Sequence, residues 1–340
     1  MTILLFIIGI SVLILIHELG HFLAAKMFGL WVEEFGLGFP PRLFKVKKGE
    51  TVYSFNSLPF GGFVRIHGEK RDPHEEEKNP ERSFWFLSIS RRALIIAAGV
   101  LMNLILGWLV ISIIFMIGAP QGVMITNVVA DTPAAQVGLL AGDRVIGYEK
   151  TEDFIDFVNA SKGKEITVRV LRGNETLEFQ VVPRIEPPAE QGALGIALTQ
   201  VGLPKLGFFG GLKEGFKTTF QILGAIVKAL VNLVVGLFVG APVFEQFVGP
   251  VGIFKIASQT AQFGLIYLLQ LIGLISLNLV VLNILPIPAL DGGRLFFLLI
   301  EKIKGSPLHP KGEAIANAIG FVLLLLLMVV ITVRDVAKLF

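Results

Sequence analysis

The 340-residue sequence contains no cysteine. Disulfides and thiolate metal ligands are therefore excluded, and any bound metal must be held by His, Asp or Glu. Charge is scarce as well: Asp, Glu, Lys and Arg make up 17% of the chain, and the net charge is +3. That balance, with no basic arm and no interleaving of aromatic and basic residues, excludes nucleic acid as a partner. The N-terminus has neither the charged n-region nor the small-residue cleavage site of a removed signal peptide, so the first apolar segment is expected to be retained. No internal repeat is visible, which argues against a transporter built from duplicated halves. What remains is apolar. Hydrophobic residues are 53% of the chain, a membrane composition.

Histidine occurs five times, and two of the five fall in His17-Glu18-Leu19-Gly20-His21. Apolar or small residues fill positions 3–16 and run directly into this motif. On a helix His17 and His21 share a face. Two imidazoles so placed can hold one Zn²⁺, with Glu18 as general base towards water. The plainer alternative is a polar cluster marking the end of a membrane helix. Ionisable residues inside such a segment are costly, however, and are functional candidates for that reason.

Four segments have the length of spanning helices: 3–25, 93–118, 264–285 and 314–333. The expected architecture is a multi-pass α-helical membrane protein of about four spans with an inserted α+β domain. A first membrane region covers 1–118. Between its two helices, 26–92 holds a β-hairpin around Lys48-Gly49-Glu50 and an apolar loop containing Gly61-Gly62-Phe63. Residues 71–82 read as a solvated charged loop. Residues 119–187 change character to short alternating strands, with a helix expected after Thr132 as N-cap and Pro133 in the first helical position. Residues 188–263 read as a linker and an amphipathic helix. Within them Lys213, Lys217, Gln221, Lys228 and Asn232 form one polar stripe, so this helix is expected to lie in the lipid interface rather than to cross it. A second membrane region covers 264–340.

Two histidines need a third protein ligand. Asp291 is the only carboxylate in 264–297, it follows Pro286 and Pro288, and it precedes Gly292 and Gly293. The prolines end the helix and the glycines let the backbone turn, which would present the carboxylate at a helix end. An Asp-Gly-Gly helix-end cap is the alternative. Parity favours the ligand reading: with two spans before it, the third helix runs the same way as the first, and the two polar ends reach the same side. Lys and Arg are dense in 24–92, 12 in 69 residues, against 12 in 147 for 119–265. The first loop is thus expected to be cytoplasmic, with the inserted domain outside the cytoplasm and the metal towards the cytoplasmic face.

Taken together, His17-Glu18-Leu19-Gly20-His21, Gly61-Gly62-Phe63-Val64, Ala98-Gly99-Val100-Leu101-Met102-Asn103, Gly249-Pro250-Val251-Gly252 and Asn283 through Pro286, Pro288 and Leu290-Asp291-Gly292 resemble the site-2 protease family over nearly the whole chain. The branch it resembles is that of bacterial membrane zinc metalloproteases, regulators of sigma-E among them, that carry a periplasmic PDZ domain. Pro133-Ala134-Ala135 with Gly138-Leu139 and Gly142-Asp143 is the PDZ-like pattern. One departure is Val100, where the family commonly has proline. Another is length, since there is room for a single PDZ domain. The resemblance implies Zn²⁺ on His17, His21 and Asp291, Glu18 as catalytic base, and substrate contacts at Asn283, Gly61, Gly62 and Phe63. It implies residence in the bacterial inner membrane among lipids, transmembrane protein substrates such as anti-sigma factors or remnant signal peptides, and peptide tails as partners of the PDZ-like domain. The competing class is a catalytically silent membrane scaffold using that domain alone, and metal content would separate the two.

Overall fold

The computed structural model describes residues 2–69, 79–173, 175–188, 191–240, 248–260 and 265–337. Most of the charged 71–82 loop therefore lies outside the described residues. The chain divides into two units. Residues 1–112 and 212–340 form the first, and residues 113–211 form the second.

The first unit is helical. Helix α1 spans Thr2–Met27, α2 Ile89–Ile117, α5 Phe208–Phe238, α6 Pro250–Thr260, α7 Leu265–Ile284, α8 Asp291–Lys304 and α9 Pro310–Ala337. Between α1 and α2, strands β1 (Val32–Lys48) and β2 (Thr51–Ile66) pair antiparallel. This pairing is longer than the short hairpin expected from sequence. Gly49, at a φ of 64°, makes its turn. Register breaks let 34–37 lie opposite both 52–55 and 62–65. The segment Gly61-Gly62-Phe63, expected as a loop, is thus strand, with Phe63 opposite Gly36 and Gly62 opposite Leu37. The base of the sheet joins a buried cluster of Ala25, Leu30, Val32, Ile66, Ile95, Ile96 and Leu298, which ties the end of α1 to the start of α2 and to α8.

Helices α1 and α7 run in the same direction. Their starts meet in a cluster of Phe6, Ala257 and Leu268. Near their ends, His17 and His21 stand beside Asp291. Helix α2 runs the opposite way, with Ile95 near the end of α1 and Gly107 against Leu277 of α7. Helix α9 returns antiparallel to α7. Gly320 near its start lies against Pro288, and Asp335 at its end accepts a hydrogen bond from the Gly252 N–H at 2.7 Å. Close approaches are made at glycines, as at Gly20, where a Cβ would run into the Ala98 carbonyl, and at Gly107. Small residues let membrane helices meet at backbone distance.

Among the described residues, five helices are long and apolar enough to cross a bilayer: α1, α2, α5, α7 and α9. Helix α5, expected from its polar stripe to lie in the interface, is among them, and the chain is a multi-pass membrane protein.

The second unit is an inserted α+β domain. Strands β3 (Ala119–Val128), β4 (Arg144–Val145), β5 (Ile166–Arg172), β6 (Glu175–Val181) and β7 (Ile196–Leu203) form a sheet in the order β6-β5-β4-β3-β7, with helices α3 (Pro133–Gln136) and α4 (Thr151–Ala160). Strand β7 lies beyond the 119–187 span assigned from sequence, and it completes the sheet by pairing antiparallel with β3. The core is Val123, Ile125, Leu139, Val145, Phe154, Val168, Val170 and Leu194. Thr132 caps α3 as expected, accepting a hydrogen bond from the Ala135 N–H. Asp143 of the Gly-Asp pair is buried and clasped by Arg172 at 2.7 Å.

Candidate metal centre

Helix α1 carries His17, Glu18 and His21 to the level of the first β-sheet. His21 Nδ1–H donates to the Ile95 carbonyl of α2 at 2.9 Å. That bond fixes the tautomer and leaves Nε2 with a free lone pair. His17 Nδ1 stands 3.3 Å from the Asn103 amide nitrogen, while the Asn103 Oδ1 is buried without a partner. Turning the amide by 180° puts Oδ1 on the His17 Nδ1–H, satisfies both groups, and frees His17 Nε2 in the same way. Both imidazoles then point Nε2 at one spot.

Asp291 reaches that spot from the other half of the chain. Its Oδ2 lies 3.1 Å from His17 Nε2 and 3.5 Å from His21 Nε2, and the two Nε2 atoms are 3.3 Å apart. Oδ2 is buried and accepts no hydrogen bond. Ligands bonded to a tetrahedral zinc at about 2.0–2.1 Å stand about 3.3–3.4 Å from one another, so the observed triangle has the size zinc requires. Two imidazoles and one carboxylate are also a donor set that zinc accepts, with a fourth position left for water. Behind the triangle α2 presents Gly99, where a Cβ would enter the space of both imidazoles. The residues therefore fit the metal. Burial works against the charge on Asp291, but His17 and His21, in their protonated form, outweigh it through hydrogen bonding and charge and hold the carboxyl well below the usual carboxylate range.

The Asp291 side chain does not serve as a helix cap. Asp291 is the first residue of α8, Leu290 is its N-cap residue, and no side chain caps that end. The glycines after it do not make the turn expected from sequence; they lie in the first turn of α8. They are small because the backbone folds back on them: a Cβ at Gly292 would meet the Leu285 carbonyl, and one at Gly293 the Ile287 carbonyl.

Beside the triangle is a cavity of about 220 Å³ lined by Glu18, Val64, Glu69, Asn283, Leu290 and Arg294, among others. Glu18 and Asn283 thus face one space. Gly62 of β2 passes directly over Glu18: a Cβ there would stand 3.0 Å from the Glu18 Cγ. Gly61 and Phe63 are its strand neighbours. Glu69 and Arg294 form an ion pair on the cavity wall. Sequence reasoning assigned no role to Ile95, Glu69 or Arg294, and it placed Asn103 in a motif without a partner. The carbonyl of Ile95 has no sequence signal at all. Asn103 does carry one, as an amide in the middle of an uncharged membrane helix.

A family model described as peptidase family M50 matches residues 5–327. A candidate zinc metalloprotease of Clostridium perfringens is 35% identical over 335 residues, covering 97% of each chain. The regulator of sigma-W protease RasP of Bacillus subtilis is 32% identical over 425 aligned positions, covering 100% of this chain and 99% of its own. The zinc metalloprotease RasP of Bacillus licheniformis is likewise 32% identical, over 432 positions with the same coverage.

Proposed function

The chain belongs to peptidase family M50, the site-2 protease family, and on that premise we propose that it is a zinc-dependent intramembrane endopeptidase acting on transmembrane segments of single-pass proteins already trimmed outside the membrane. The observation that carries this reading is the triangle of His17, His21 and Asp291, its ligand atoms within 4.8 Å of one another, beside a cavity that Glu18 lines. Zinc, when bound, supplies Lewis acidity towards water and the scissile carbonyl. Glu18 takes the proton from the attacking water and delivers it to the leaving amine. Asn283 faces the same cavity and is assigned to the substrate backbone. A helical substrate has no free backbone groups, so it must unwind to be cut. Among the described residues the 62–65 edge of the sheet pairs on one side only, with 34–37, and it runs past Glu18. An unwound segment added to that edge through Gly61, Gly62 and Phe63 would present its carbonyls to the site.

The inserted unit is assigned as the single PDZ domain. Its β7 is an edge strand with α4 beside it, and an extended peptide tail can extend the sheet there. Substrates of the anti-sigma-factor or remnant-signal-peptide kind fit this arrangement, as the name of the Bacillus subtilis relative suggests. The proposed location is the bacterial inner membrane, with the metal towards the cytoplasm. Reporters fused at Gly173 and at Glu81 are expected to read as extracytoplasmic and cytoplasmic respectively. The same sign at both would overturn the orientation, because α2 separates them.

The function is tested with detergent-solubilised protein and a tagged single-pass substrate. Cuts are expected inside the apolar segment, mapped by mass spectrometry, and lost on treatment with a zinc chelator. Cuts confined to the flanking soluble regions, or indifferent to chelation, would refute the proposal.

A further inference from the structure

Among the described residues, three non-glycine residues have positive φ: Asn79 at 58°, Asp131 at 58° and Ala289 at 78°. Asn and Asp tolerate that region because their short polar side chains bond locally; alanine has no such means and pays the steric penalty of its Cβ. Ala289 is therefore the one whose conformation must be held from outside, and it lies two residues before Asp291. Its N–H donates to the Asn317 Oδ1 of α9 at 3.0 Å. This is the one side-chain hydrogen bond made to 285–290 among the described residues. Asn317 sits in a membrane helix between Ala316 and Ala318, where an amide is costly unless it has work to do. One turn on, Gly320 leaves room for the Pro288 carbonyl, which a Cβ would strike. With Gly292 and Gly293 against the carbonyls of 285 and 287, the loop is clamped from α8 and α9 together.

We propose that Asn317 is a positioning residue for the metal centre: its side-chain carbonyl holds Ala289 in the left-handed conformation, and this fixes the loop from which Asp291 reaches the two imidazoles. Asn317 does not touch the metal site and acts only through the backbone. The inference rests on the reading of His17, His21 and Asp291 as zinc ligands.

The test measures zinc affinity of the full-length protein in detergent by competition with a chromophoric chelator, so no substrate is involved. Asn317→Ala is expected to raise the Kd for zinc about tenfold, the scale of the penalty for alanine in the left-handed region. Ala289→Gly is expected to bind zinc as the wild type does, or more tightly. In the Ala289→Gly background, Asn317→Ala should cost under about threefold, because glycine keeps positive φ without help. That rescue separates backbone positioning from general packing, which would give equal losses in both backgrounds. Should Asn317→Ala fail to fold, Ala289→Val with Asn317 intact carries the test: a β-branched residue resists positive φ, and zinc affinity should fall. Wild-type affinity in Asn317→Ala or in Ala289→Val, or equal losses in the two backgrounds, overturns the proposal. Full zinc retention by His17→Ala would instead overturn the ligand reading on which it rests.

Discussion

Glu18→Gln is expected to leave zinc in place and to lower cleavage by about 10²–10⁴-fold, the range over which a positioned acid–base group contributes. Glutamine has the size of glutamate, so the contact with Gly62 and the shape of the cavity survive. His17, His21 and Asp291 are untouched, and the triangle keeps its dimensions. What is lost is the ability to accept a proton from water and return it to the amine. The variant should therefore bind a transmembrane substrate and hold it uncut, which makes it useful for trapping physiological targets by co-purification. Cleavage at near wild-type rate would remove Glu18 from the mechanism.

Removing the imidazoles acts at an earlier step. The His17→Ala/His21→Ala double variant should fall from about one zinc per chain to none detectable by elemental analysis, and its peptidase activity should vanish with the metal. One carboxylate remains of the three ligands, too few for a catalytic zinc. Asp291→Ala keeps two ligands and should bind zinc weakly. The double variant also leaves the Ile95 carbonyl without its partner in a buried setting, at a cost of about 1–3 kcal/mol. A melting curve of the metal-free proteins is therefore needed beside the metal assay. Stoichiometric zinc in a folded double variant would sink the assignment of these ligands.

Much of this architecture was legible in the sequence because it rests on local signals. Membrane helices announce themselves by composition, and His17 and His21 by their spacing. The parallel course of α1 and α7 followed from counting spans. The features that were not legible depend on residues far apart in the chain. The first β-sheet reads as a short hairpin because Gly36, Gly38, Pro40, Pro41, Gly61 and Gly62 interrupt the alternation that marks a strand. Pairing across register breaks restores the strand there, and no local pattern encodes such breaks. Helix α8 was hidden by Asp-Gly-Gly, a turn signal in most settings; only the carbonyls of Leu285 and Ile287, packed against those glycines, explain why the helix starts there. β7 lies past a Pro-rich linker, and pairing with β3, some 70 residues earlier, makes it a strand of the sheet. Helix α4 could have been found from Phe154 and Val158, four apart and both buried.

The metal centre draws its groups from opposite ends of the chain: His17 and His21 near the start, Ile95 and Asn103 from the second helix, Asp291 from the last quarter, and Asn317 later still. During biosynthesis the histidines emerge first and wait for their carboxylate while almost the whole polypeptide is made. At ordinary bacterial translation speeds that interval is on the order of half a minute. On the proposed ligand assignment, a chain cut short before Asp291 keeps two of the three ligands and is expected to bind zinc weakly and to cleave nothing.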